Sequence, residues 1–193
     1  MSLFNKDNVK NVIFFNIVWL ACVLGATYGY VWVSLLITIA FITWQLRYKK
    51  NYFADGVLIA VCLVLGFILD STWLIGGYIR YASGEFYAPL PPLWILCLWA
   101  SFAMTFNYSL NWLKQRYLIA FIFGVIGSPM SYLGAHKLGA VEFLQPDLFF
   151  IYMPLAWGCF MLFIAWFTGF LERVNILGLK IINQEPLKKE TGI

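Results

Sequence analysis

The strongest chemical signal in this sequence is Asp70, set in the apolar stretch Gly66-Phe67-Ile68-Leu69-Asp70-Ser71-Thr72-Trp73. A charged side chain in the middle of a bilayer costs about 2.5–3.5 kcal/mol on insertion scales, so such a carboxyl group needs a partner or a changed protonation state. Two readings stand side by side: a proton or ligand site, or a carboxylate that packs helices together. A second segment offers partners, Gly124-Val125-Ile126-Gly127-Ser128-Pro129-Met130-Ser131-Tyr132-Leu133-Gly134-Ala135-His136-Lys137. Pro129 removes one backbone bond and kinks a helix, and Gly124 and Gly127 permit close backbone approach. Ser128, Ser131 and Tyr132 are placed to satisfy the freed carbonyls. Helical rise puts Asp70 about 24 Å and His136 about 28 Å above the starts of their segments, so Asp70 is expected to meet His136, Lys137 or Tyr132. The alternative is that His136 and Lys137 cap the end of their helix and reach water.

A further polar group is Asn107-Tyr108-Ser109-Leu110-Asn111-Trp112. In a helix Asn107 and Asn111 share one face, either as interhelical hydrogen-bonding residues or as a polar entrance opposite the Asp70 group. The candidate ligand-binding residues are therefore Asp70, Ser71, Asn107, Asn111, Ser128, Tyr132, His136 and Lys137. Glu85, Glu142 and Asp147 add carboxylates to the connecting loops, where solvated acids are the ordinary case. No metal or cofactor is expected. The four cysteines lie in apolar runs without metal-ligand spacing, and the one histidine, His136, cannot supply paired haem ligands from a single chain. Walker, nucleophile-elbow and zinc-protease motifs are absent from the sequence.

These residues need a scaffold, and composition says which kind. Of 193 residues, 62% are hydrophobic and 11% charged, against about 45–50% and about 25% in soluble domains. So much apolar surface requires the bilayer as a second solvent. The net charge of +4 is scattered and gives no nucleic-acid footprint. Six apolar segments approach the roughly 20 residues that a span needs, at about 12–26, 29–46, 54–76, 92–113, 117–138 and 148–171. The fold expected is an all-α polytopic membrane helix bundle in one domain, with an interfacial tail over 172–193. Every lysine and arginine except Arg80 and Lys137 falls on one side of these spans. By the positive-inside rule, that sorting requires an even number of spans and both termini in the cytoplasm.

Leu69-Asp70-Ser71, Pro92-Leu93-Trp94 through Leu98-Trp99, the run Asn107 to Leu113, Gly127 to Tyr132, Gly134 and Leu138-Gly139-Ala140 together resemble a small family of bacterial inner-membrane proteins known as a domain of unknown function. The likeness covers most of the chain and concentrates between residues 66 and 142. It implies a multi-pass protein of the bacterial inner membrane. Members of that family are often encoded beside enzymes resembling cyclopropane-fatty-acid synthases, which implies membrane lipid, and lipid-modifying enzymes, as partners. The resemblance carries no catalytic residue.

Three functions follow as expectations. The first is a bundle that binds or moves a lipid or other hydrophobic small molecule through the Asp70 group and the fifth span. The second is a membrane-embedded enzyme of lipid modification using Asp70 and His136 as acid–base groups. The third is a scaffold or accessory subunit in which every polar residue is structural. An enzyme requires a cavity joining Asp70 to His136, whereas a binding protein requires a cavity or lateral opening beside the fifth span.

Overall fold

A computed structural model describes residues 6–47, 52–83 and 89–184, with side chains described as far as 174. The chain is all-α apart from one small sheet. Its helices are α1 (Lys6–Thr27), α2 (Val31–Arg47), α3 (Tyr52–Ile75), α4 (Leu93–Phe106), α5 (Tyr117–Lys137) and α6 (Pro146–Gln184). Two short strands, β1 (Ile79–Tyr81) and β2 (Val141–Phe143), pair antiparallel with Arg80 opposite Glu142. Four helices are long and apolar enough to cross a membrane: α1, α3, α5 and the Pro146–Val174 part of α6. Their outward faces carry large exposed apolar side chains such as Ile13, Ile68, Leu118, Ile126 and Leu155. That is the surface a lipid-facing helix presents, since burying it in water would be costly.

α2 and α4 are shorter, and α4 differs most from expectation. The fourth apolar segment reads as one span over 92–113, but the helix stops at Phe106, Asn107 is its C-cap, and a 3-10 turn follows at Asn111–Leu113. Asn107 and Asn111 therefore do not share a helix face. Asn, Ser and Tyr make local hydrogen bonds that compete with helix, and here Tyr108 and Leu110 both donate to the Thr105 carbonyl instead of continuing the ladder. α4 is the central element. Most of its side chains are buried against α1, α2 and α3.

The sheet is absent from the sequence reading and arises from two matching helix ends. α3 and α5 each finish in a Schellman motif, with Gly77 (φ 65°) and Gly139 (φ 84°) in the left-handed region that suits glycine. The amide of Tyr78 donates to the Trp73 carbonyl at 3.0 Å, and that of Ala140 to Ala135 at 2.9 Å. Each motif turns the chain directly into its strand. The β1 segment also reaches α1, because Ser83 donates to the Ala26 carbonyl, so the sheet closes one end of the bundle. At the opposite end lie the start of α3, the end of α2 and the Asn107–Leu113 turn. α5 and α6 form the most extensive pair. A Cβ on Gly124 would lie 2.5 Å from the Trp157 carbonyl oxygen, and one on Gly158 2.7 Å from the Phe121 ring. Gly127 has nothing within 4 Å of its Cβ position, so only Gly124 of the expected pair serves close packing. α6 runs well past the expected end of the sixth span; residues 172–184 continue the helix and 185–193, with Lys188 and Lys189, lie outside the described residues. Lys49, Lys50 and Glu85 also lie outside them.

Candidate functional site

Asp70 is 1% exposed, on the inner face of α3 near the sheet end. Three donors reach it from three other elements. The Tyr81 hydroxyl from β1 and the Tyr132 hydroxyl from α5, at 3.0 Å, donate to Oδ1, and the Trp99 indole from α4 donates to Oδ2 at 2.6 Å. The two phenol oxygens lie 3.4 Å apart. Asp70 forms no ion pair among the described residues. The backbone explains the convergence. Asp70 and Tyr132 stand at the same separation in sequence from Gly77 and Gly139, so the paired Schellman turns bring them to one level, and the strand that follows the first turn folds Tyr81 back over Asp70. Gly66, one helical turn below Asp70, makes room for Trp99, since a Cβ there would fall 2.2 Å from the indole ring. Burial pushes the Tyr81 phenol well above its usual range, with the neighbouring Asp70 adding to it, so at neutral pH this hydroxyl keeps its proton and donates.

The cluster forms one end of a cavity of about 510 Å³ bounded by α1, α4, α5 and α6. Aromatic rings dominate its wall: Trp19, Trp94, Trp99, Trp157, Phe15 and Phe102. Trp99 and Trp157 stack at 4.7 Å between centroids with 12° between planes, and Trp94 meets Tyr81 edge-on at 5.4 Å. Among the described residues Asp70 is the only acid in the wall, which holds no lysine, arginine or histidine. The Trp157 indole N–H is buried beside the Tyr132 hydroxyl, with no closer acceptor among the described residues. α1 and α5 meet toward the sheet end, where Trp19 donates to Ser131 at 3.0 Å and Thr27 to the Leu138 carbonyl at 2.9 Å. Between these helices the wall includes Val12 (46% exposed), Phe123 (43%) and Met130 (70%). The cavity thus opens sideways between α1 and α5, onto an exposed apolar surface.

Of the expected partners of Asp70, only Tyr132 touches it. His136 pairs its Nδ1 with the Val141 carbonyl at 2.8 Å and lays its ring against Phe143; Lys137 is exposed at the end of α5. Neither belongs to the cavity wall: His136 turns toward β2 and Lys137 toward the outside. An acid–base pair of Asp70 with His136 is not assembled. Ser128 does line the cavity, and its hydroxyl bonds the Gly124 carbonyl at 2.8 Å. Ser131 and Tyr132 bond Trp19 and Asp70, not carbonyls freed by Pro129. Ser71 is buried beside Asp70, outside the cavity wall, with its hydroxyl unpartnered among the described residues.

Asn107 belongs to a separate cluster at the opposite end, built on Asp55, which is 2% exposed in the first turn of α3. Asn107 donates to Asp55 Oδ1 at 2.6 Å and Tyr108 to Oδ2 at 3.1 Å. Beside it, Asn11 donates to Gln45 at 3.0 Å and accepts from Ser109 at 2.6 Å. Asn111 opens the adjoining turn and is outside the cavity wall. Ser109 and Thr105 reach the near end of the cavity. Sequence reasoning missed Asp55, Tyr81 and Trp99. Asp55 carried a readable signal, a carboxylate just inside an apolar run; Trp99 looked like any of nine tryptophans.

Among curated proteins and among solved structures nothing matches this chain. A family described as a protein of unknown function (DUF2878) matches residues 8–163, a stretch that takes in the sheet, both carboxylate clusters and the whole cavity wall. The chain belongs to that family.

Proposed function

We propose that this is a six-span protein of a bacterial inner membrane, with both termini cytoplasmic, that binds or moves a lipid or other hydrophobic small molecule in the cavity beside Asp70. One observation carries the reading: an aromatic cavity of about 510 Å³ with a single carboxylate at its closed end and a lateral opening between α1 and α5. Ligand pockets are typically about 300–1,000 Å³, apolar, and furnished with a few convergent polar groups. A side entrance between helices suits a ligand that arrives dissolved in the bilayer. The sorting of cations supports the orientation: Lys6, Lys10, Arg47, Lys114, Arg116 and Arg173 lie toward the end opposite the sheet, and Arg80 and Lys137 toward the sheet.

Gly127 offers a clean test. It lines the cavity and has free space at its Cβ position, so Gly127→Leu fills the cavity without a backbone clash. Purified wild-type chain, extracted and analysed by mass spectrometry, is expected to release a small molecule in near-stoichiometric amount, and Gly127→Leu to release a small fraction of it. Equal release from a folded Gly127→Leu would overturn the proposal.

A further inference from the structure

The wall of the cavity also constrains the charge of its occupant. Among the described residues Asp70 receives three neutral donors and no cation, and no basic side chain faces it from any element around the cavity. Two phenols on Oδ1 fill that oxygen, whereas Oδ2 holds only the Trp99 indole and keeps a lone pair free for a further donor. A buried carboxylate is stabilised most by an opposite charge, and here the protein supplies none. Around it stand Trp94, Trp99, Trp157, Tyr81 and Tyr132, of which Trp99, Tyr81 and Tyr132 turn their N–H or O–H edges to the carboxyl group. Ring faces attract cations through their quadrupole, and Trp94 and Trp157, which make no bond to the carboxyl group, are the rings able to turn a face to an ammonium group beside it. A fatty acid or a phosphate-bearing headgroup would instead bring a second anion against Asp70 with no arginine or lysine to receive it.

Building on the binding reading above, we propose that the occupant is a lipid-borne ammonium group: an amphiphile whose protonated amine sits between Asp70 Oδ2 and the stacked tryptophans and whose chain leaves between α1 and α5. The lateral opening selects a chain-bearing amine over a water-soluble one. The exposed Val12, Phe123 and Met130 that line the gap present only apolar contacts to whatever passes.

A competition experiment on the full-length chain tests this. Delipidated protein in neutral detergent receives an equimolar mixture of hexadecylamine, hexadecanol and hexadecanoic acid, and the retained fraction is quantified after gel filtration. Gly127→Leu sets the background of micelle partition. Wild type is expected to retain the amine at least about tenfold over the alcohol and the acid, and tetramethylammonium is expected not to displace it. Asp70→Glu keeps the preference, and Asp70→Asn reduces it to within about twofold of the alcohol. Should Asp70→Asn fail to fold, Trp157→Leu removes one aromatic face without touching the carboxylate and is expected to lower the preference several-fold. Equal retention of all three compounds, or preference for the acid, overturns the ammonium assignment and leaves the binding reading standing. Displacement by tetramethylammonium overturns the lipid-borne source. Retention no greater than in Gly127→Leu for every compound overturns both proposals.

Discussion

α3 carries two buried carboxylates, Asp55 near its start and Asp70 near its end, and they are put to different uses. Asp55 sits in the first turn, where the helix dipole favours a negative charge. Its oxygens receive Asn107 and Tyr108, and the neighbouring Asn11–Gln45–Ser109 bonds tie α1 and α2 to the same turn. That cluster closes the Asn107–Leu113 turn against α3. Asp70 lies toward the C-terminal end of the helix, without that dipole support, and faces a cavity instead of packed side chains. Equal burial therefore does not mean equal role. A carboxylate surrounded by its own chain is fastening, and one that borders space is placed for something to meet it.

The comparison breaks first at Asp55. Asp55→Ala removes the acceptor that the part-buried Asn107 amide and the buried Tyr108 hydroxyl share, a loss of about 1–3 kcal/mol in all. A strong fall in melting temperature is expected, with the folded remainder still retaining ligand; an unchanged melt would remove the structural role of that cluster. Gly66→Ala comes next. Its new methyl meets the Trp99 ring, and overpacking of this kind costs about 1–3 kcal/mol. Because Trp99 must move, its bond to Asp70 is expected to lengthen, seen as altered near-ultraviolet circular dichroism together with weaker ligand retention. Tyr132→Phe removes one of two phenols from Oδ1 and leaves Tyr81 in place, so a loss of about 1 kcal/mol is expected in thermal melts. A collapse of the fold would show that the sheet-end cluster is as structural as the other. The smallest effect belongs to Arg80→Ala. The Arg80–Glu142 pair spans the sheet at 2.8 Å but both side chains are more than half exposed, and such pairs contribute about 0–1 kcal/mol.

Much of this was readable in the chain and some was not, for physical reasons. Asp70 stood out because a lone carboxylate in a long apolar run has few innocent explanations. Tyr132 followed because α3 and α5 run in the same direction, which lets depth be compared. His136 was misplaced because depth says nothing about azimuth: its ring faces β2. Tyr81 was out of reach, since a strand of three residues gives no alternation to read and exists only through its pairing with β2. The boundary of α4 failed for a related reason. Hydropathy stays high through Leu113, while the choice between helix and turn depends on Asn107 finding Asp55, a contact far away in sequence.

The central claim is that the space beside Asp70 is a ligand site entered from the bilayer. A density map of the wild-type chain in lipid nanodiscs tests it most directly. The account predicts elongated density that enters between Val12 and Phe123 and ends against Asp70 and Trp157, and its disappearance in Gly127→Leu. A gap closed by side-chain packing between α1 and α5, with no density at Asp70, would contradict it.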